Sequence, residues 1–147
     1  MNNIVIRFLV VAAACAPALS IGCHYNYVQS TSGVNSGIHN FNPPATICAQ
    51  GGAVTVNLAQ AMPNQRVILY VNKPAGGCVL PSTLSVQGSA GVTPSRGNAS
   101  YHDNEPTGAM YIWCPVTTGA LPSTAMFFNG ALCDVTVTAT SFDSNPC

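Results

Sequence analysis

The number of cysteines is the feature that most restricts how this chain can fold. The sequence contains seven cysteines, of which Cys15 lies in an apolar segment near the amino terminus. An even number of cysteines in a secreted chain is typical of a disulfide framework. We therefore expect three bridges among the remaining six residues, in a pairing that the cysteine count leaves open: Cys23, Cys48, Cys78, Cys114, Cys133 and Cys147.

Residues 1–20 have the layout of a secretory signal peptide. Arg7 is followed by an apolar stretch from Phe8 to Cys15 and then by small residues that end at Ser20. The apolar stretch is shorter than the roughly 20 residues that a membrane-spanning helix needs. We therefore predict cleavage after Ser20, secretion of residues 21–147 as a single extracellular domain, and no membrane span in the mature chain.

The first residue of the mature chain bears on metal binding. If the mature chain began at His24, its free amino group and imidazole would be able to chelate copper. That start requires cleavage after Cys23, which would leave an odd number of cysteines and one unpaired thiol. His24, His39 and His102 fall in separate segments, and the chain has no C-x-x-C pair. We therefore expect no metal site and no cofactor.

Short runs of β-branched and aromatic residues, divided by proline or glycine, predict an all-β domain. The run AVTVNLA at 53–59 alternates between apolar and polar residues, as a half-buried strand does. The run RVILYVN at 66–72 is almost entirely apolar, which predicts a central strand covered on both faces. Since no segment has a helical period, we expect about seven to eight antiparallel strands in a sandwich or barrel that is stapled by disulfides.

Strand alternation also suggests one disulfide pairing. In GAMYIWCP at 108–115, Cys114 is in phase with Met110 and Ile112. In CDVTVTATSF at 133–142, Cys133 is in phase with three small apolar residues, Val135, Val137 and Ala139. If both cysteines point inward from neighbouring strands, their Cα atoms lie within bridging distance, and we predict a Cys114–Cys133 disulfide.

Charge is sparse and excludes one class of partner. Beyond residue 20 the cationic side chains are Arg66, Lys73 and Arg96, too few and too scattered to neutralise a phosphate backbone, so we expect no nucleic-acid partner. The segment PSRGNASYHDNEP at 94–106 is polar and is predicted to be an exposed loop. It contains the sequon Asn98-Ala99-Ser100, which predicts a glycan at Asn98 in a eukaryotic host.

Two groups of residues form the candidate ligand surface. Asp103 and Glu105, with His102 beside them, have three possible roles. They are the catalytic carboxylates of a hydrolase, ligands of a hard cation, or part of a solvated loop. Tyr25 and Tyr27 are able to form an aromatic platform for sugar rings, or to pack against the core. No G-x-S-x-G motif is present, and we expect no catalytic residues. The candidate contact loops are 31–37 and 94–106.

The layout of the whole chain resembles the small secreted, cysteine-containing proteins of fungi, many of which act as effectors on a host. The resemblance consists of a signal segment, a single short domain and an even number of cysteines, and it implies no site residues. From it and from the residues we expect a non-enzymatic interaction module that binds an extracellular protein or polysaccharide. The alternatives are a structural component of an extracellular wall or coat and a small secreted hydrolase.

Overall fold

A computed structural model of the chain describes residues 22–29, 37–61, 66–88, 95–105, 108–114 and 121–143. Within these ranges the chain forms nine strands and a short 3-10 turn at Ala75–Gly77. No helix among them has the length and apolarity needed to cross a membrane. The all-β prediction is confirmed, with one or two more strands than expected. The predicted signal peptide, its cleavage site and most of the loop at 31–37 lie outside the described residues.

The strands follow one another with short connections, and each is numbered in chain order. Their bounds are β1 Asn26–Gln29, β2 Gly37–Ile47, β3 Ala53–Ala61, β4 Arg66–Val71, β5 Thr83–Gly88, β6 Ser95–Glu105, β7 Gly108–Trp113, β8 Leu121–Phe127 and β9 Val135–Asp143.

All nine strands belong to one sheet that curls into a nearly closed barrel. Their order is β1-β3-β8-β5-β6-β7-β4-β9-β2, and every pair is antiparallel except β1 with β3, which is parallel. The two outermost strands meet where His24 forms a bridge with Ile47, and the Cys48 N–H donates to the His24 carbonyl at 3.0 Å. The Cys23–Cys48 disulfide fastens the same point. The sheet therefore closes through the segment that precedes β1.

Strand β2 has a bulge between Asn40 and Ala45 that contains two exposed prolines, Pro43 and Pro44. Proline has no backbone N–H, so these residues cannot extend a ladder of hydrogen bonds to another chain. The bulge therefore protects an outer strand of the sheet against unwanted pairing.

The barrel interior is filled by buried apolar side chains from β2 to β9, and the half-buried Tyr27 of β1 packs against them. The largest fully buried ones are Trp113, Tyr111, Phe128 and Phe142. The prediction for β4 is confirmed, because it lies between β7 and β9 and buries Val67 and Leu69 on one face and Ile68 on the other. Val67, Leu69 and Val71 of this strand belong to the hydrophobic core.

Strand β7 faces the opposite way from the prediction. Tyr111 and Trp113 are buried in the core, and Cys114 continues the phase of the other face and is only half-buried. Both faces of this strand are apolar, so alternation alone gives no direction, and the larger aromatic pair fills the barrel. The predicted Cys114–Cys133 bridge is wrong, because Cys133 is bonded to Cys78. Cys114 is also disulfide-bonded, and its partner is none of the other described cysteines.

Strand β9 follows the predicted alternation only as far as Val137. A bulge at Thr138 reverses the phase, so that Val71 faces Val137 but Leu69 faces Thr140. Thr140 therefore points into the core, and its hydroxyl donates to the side-chain oxygen of Gln29 at 3.0 Å. This hydrogen bond pairs two buried polar groups and links β9 to β1.

The segment predicted to be an exposed loop at 94–106 is mostly strand. Ser95–Glu105 forms β6, which pairs with β5 and β7. Ala99 is fully buried, whereas Asn98 and Ser100 are exposed on the outer face. The sequon is therefore accessible although it lies on a strand, and glycosylation of Asn98 stays a prediction.

Disulfide mapping checks the pairing directly. Non-reducing peptide mapping of the mature protein should find Cys23–Cys48 and Cys78–Cys133. It should also find a third bridge from Cys114 to Cys147, since Cys147 is the one remaining cysteine outside the predicted signal peptide. A peptide joining Cys114 to Cys133 would contradict this arrangement.

The turn between β2 and β3 predicts the effect of one substitution. A Cβ on Gly52 would lie 2.4 Å from the Cys48 carbonyl oxygen and 2.7 Å from the Cys48 nitrogen. Because these are backbone atoms beside a disulfide, Gly52→Ala should lower the free energy of unfolding by about 1–3 kcal/mol, measured in urea. Gly76→Ala is the control, since its Cβ meets nothing within 4 Å and only its φ of +79° is unfavourable. A smaller loss for Gly52→Ala than for Gly76→Ala would count against the close contact.

Candidate functional site at the stapled rim

Three connecting segments lie together at one end of the barrel, which we call the stapled rim: residues 48–52, 72–82 and 128–134. They meet because β2, β4 and β8 all end there. The Cys78–Cys133 disulfide joins the second segment to the third. The Asp134 carboxylate accepts the Ala49 N–H at 3.0 Å and so joins the third to the first. The rim is therefore cross-linked on both sides.

Two large apolar side chains are exposed on this rim. Val79 directly follows Cys78 and is 71% exposed, and Leu132 directly precedes Cys133 and is 72% exposed. The Cα atoms of the bridged cysteines are 6.2 Å apart, so the bridge holds both side chains at the same end of the molecule. The rim thus carries two of the five large apolar side chains that are exposed among the described residues.

A cleft of about 280 Å³ opens between the 72–82 segment and β6, and we call it the rim cleft. Its lining combines an apolar wall with polar groups at Lys73, Tyr101 and Asp103. The remaining lining residues are Pro74, Cys78, Val79 and Leu80. A concave site of mixed lining with a few convergent polar groups is the usual form of a ligand site.

An ion pair forms the polar side of the rim cleft. Lys73 Nζ lies 2.5 Å from Asp103 Oδ1, and both side chains are about half exposed. The Tyr101 hydroxyl donates to the same oxygen at 3.4 Å. The hydrogen bond from Lys73 lowers the pKa of Asp103 and raises the pKa of Lys73. At neutral pH the site therefore holds one carboxylate and one ammonium group.

Tyr101 connects this ion pair to the core. Its ring packs against Tyr111 with centroids 5.3 Å apart, and burial raises the pKa of its hydroxyl. Tyr111 is fully buried, and its hydroxyl donates to the Pro81 carbonyl at 2.8 Å. Burial raises the pKa of Tyr111 as well, which keeps that hydroxyl a donor. The floor of the cleft is thus anchored to the barrel interior.

The structure separates the residues of the predicted ligand surface. Tyr101 and Asp103 share one face of β6, whereas His102 lies on the other, opposite Met110. The side chain of Glu105 lies outside the described residues. β1 and β6 are separated in the sheet by β3, β8 and β5, so Tyr25 and Tyr27 are remote from Asp103. The two groups of candidate ligand residues therefore lie in different parts of the barrel, and a role of either group in binding stays a prediction.

Tyr25 and Tyr27 do not present their rings together as an aromatic platform. Tyr27 is half-buried, with its ring stacked on Phe41 at 5.6 Å and in edge contact with His24 at 5.1 Å. Tyr25 precedes β1 and is 62% exposed. Tyr27 therefore packs against the core at the closure, and only Tyr25 offers a free ring.

The rim cleft contains residues that the sequence did not single out. Lys73 and Val79 lie in an irregular segment, and their relation to β6 depends on the order of strands in the sheet. The cysteine positions could have indicated these residues, since a disulfide holds the residues beside it in place. That signal required the correct pairing of Cys78 with Cys133.

The chemistry of the site favours binding. A glycosidase needs one carboxyl group with a raised pKa to act as acid, and Lys73 lowers the pKa of Asp103. Among the described residues, no group of three or more histidine, cysteine, aspartate and glutamate side chains is placed to hold a metal ion. The geometry instead offers fixed hydrogen-bonding groups beside an apolar wall.

Comparisons of the chain with protein-family models, with curated proteins and with solved structures each gave no match.

Titration of Asp103 checks the ion pair. Carboxyl NMR signals should give Asp103 a pKa below its usual 3.8, and Lys73→Met should return it towards that value. Because the folded pKa is the lower one, the ion pair is complete above pH 3.8 and is lost as the pH falls through the lowered pKa. Lys73→Arg is the control, since it keeps the cation. An Asp103 pKa that is the same with and without the cation would contradict the pairing.

Proposed function

We propose that the protein is a secreted, non-enzymatic interaction module that binds an extracellular partner through the stapled rim. The partner class is a protein or a polysaccharide outside the cell. Three described features support the proposal: bridged cysteines suited to an oxidising compartment, a rigid barrel, and a cross-linked end that carries a cleft. The layout resemblance to small secreted fungal proteins extends the proposal to a role directed at a host.

The observation that carries this proposal is the exposure of Val79 and Leu132 on either side of the Cys78–Cys133 disulfide. Exposed aliphatic side chains on a mobile loop lose conformational freedom when they bind. Here the bridge has already restricted both segments, so less entropy is lost on association. A rigid scaffold that presents fixed loops is a common arrangement for recognition.

The ion pair in the rim cleft supports binding over hydrolysis. The hydrogen bond from Lys73 lowers the pKa of Asp103 below its ordinary value, and a carboxylate at neutral pH is a poor proton donor. His102 is turned to the outer face and does not share the cleft. We therefore expect no turnover of glycosidic, ester or peptide substrates by the mature protein.

A pair of double variants tests the proposal. Val79→Gln with Leu132→Gln removes both apolar groups from the rim, and Val28→Gln with Ile38→Gln removes two of similar exposure from β1 and β2 without creating a glycosylation sequon. The mature proteins are incubated with intact cells and with insoluble extracellular material, and the retained fraction is measured. The rim variant should lose most retention and the control should keep it, while both unfold at nearly the same temperature, since exposed substitutions change stability little.

Each other result points to a different function. Equal retention of the rim variant and the control would overturn the rim as the contact surface. Retention that resists both detergent and concentrated salt would favour a structural component of a wall or coat. Hydrolysis that disappears in Asp103→Asn would make the protein an enzyme.

A further inference from the structure

The rim cleft is suited to one class of ligand, and the inference rests on the proposed function. We propose that the rim cleft binds a neutral polysaccharide. Lys73 and Asp103 hydrogen-bond neighbouring hydroxyl groups of one sugar residue, and the wall formed by Pro74 and Val79 covers its C–H face.

The size of the cleft restricts its occupant. Its volume of about 280 Å³ lies just below the usual range of small-molecule pockets, which begins near 300 Å³. Such a space admits one ring-sized group and excludes a folded partner. A polymer fits this limit, because one residue enters the cleft and its neighbours continue along the rim.

The polar groups match a pair of neighbouring hydroxyls. Both contacts to Asp103 use Oδ1, so within the described part of the chain Oδ2 keeps its capacity to accept. Lys73 Nζ has three N–H donors, one of which is directed at Asp103. The site thus offers an acceptor beside a donor. A sugar hydroxyl both donates and accepts, so two neighbouring hydroxyls satisfy both protein groups at once.

The charge of the site favours a neutral polymer over an anionic one. Lys73 and Asp103 cancel each other, and residues 21–147 carry three cationic side chains against four acidic ones. The other described ion pair, Arg66 with Asp143, occupies the opposite end of the barrel. An anionic polysaccharide would therefore meet no excess of positive charge at the rim cleft, and the Asp103 carboxylate would repel it.

The apolar lining supplies the second half of the recognition. Val79 is largely exposed, Leu80 is buried, and the half-buried Tyr101 also lines the cleft. A sugar ring has an apolar C–H face and a polar edge. The cleft has a matching apolar wall beside its polar groups. Burying that face against Val79 and Pro74 removes apolar surface from water.

Calorimetric titration of the mature, disulfide-bonded protein tests the inference. The probes are hexamers of β-1,3-glucose, β-1,4-N-acetylglucosamine and α-mannose, with oligogalacturonate as the anionic comparison. At least one neutral hexamer should bind more tightly than oligogalacturonate. Asp103→Asn and Lys73→Gln should each weaken it by about tenfold or more, because each removes a charged hydrogen-bonding partner.

Two matched variants keep the result specific to the rim cleft. Asp143→Asn makes the same chemical change in the ion pair at the other end of the barrel, and its affinity should stay within about twofold of the unmodified protein. Asn40→Ala alters a different cleft, an outer groove of about 200 Å³ that also contains Tyr70. It should leave affinity unchanged. Thermal unfolding of every variant confirms that loss of binding is not loss of fold.

Several outcomes would overturn the inference. One is that no neutral hexamer binds while the protein is still retained on extracellular material through Val79 and Leu132. In that case the partner is a protein, and the proposed function stands without this ligand. Loss of binding in Asn40→Ala, or unchanged binding in Asp103→Asn and Lys73→Gln, would place the sugar elsewhere. Failure of retention and of sugar binding together would overturn both proposals.

Discussion

The Cys23–Cys48 disulfide holds the segment before β1 against the end of β2, where the nine-stranded sheet closes. His24 adds two backbone hydrogen bonds at this point, one to Thr46 and one from Cys48. Further down the strand, Gln29 reaches Thr140 in the core. Without these contacts β1 and β2 would be open edges beside a hydrophobic interior. Closure therefore protects the core from water and the edges from other chains.

The second disulfide acts at the rim. The described bridges close loops with sequence separations of 25 and 55 residues, for which chain entropy gives about 3–4 kcal/mol each. The longer loop contains β5 to β8, so Cys78–Cys133 constrains these four strands as well as the rim segments. The same covalent bond thus stabilises the fold and fixes the positions of Val79 and Leu132. The stability of the fold and the proposed contact surface therefore depend on the same disulfide.

Strand alternation predicted the burial of β4 correctly and the facing of β7 and part of β9 incorrectly. Alternation gives the direction of side chains only where the two faces of a strand differ and no bulge shifts the phase. In β4 the apolar run fixed a buried central strand, since both faces had to be covered. In β7 both faces are apolar, so the direction was decided by which pair of side chains fills the barrel, Tyr111 and Trp113. In β9 a bulge reversed the phase at Thr138, and a one-residue shift turns every later side chain to the other face.

The candidate site also depends partly on features that the sequence predicts and partly on features that only the fold decides. The sequence alone determined the all-β class, the central strand, the framework of bonded cysteines and the sparse charge, because these depend on local periodicity and on residue counts. Only the tertiary structure decided which cysteines pair, that the polar segment at 94–106 is a strand, and that Lys73 meets Asp103. These facts depend on the order of strands in the closed sheet. Residues 30 positions apart become neighbours there through contacts that no local pattern encodes.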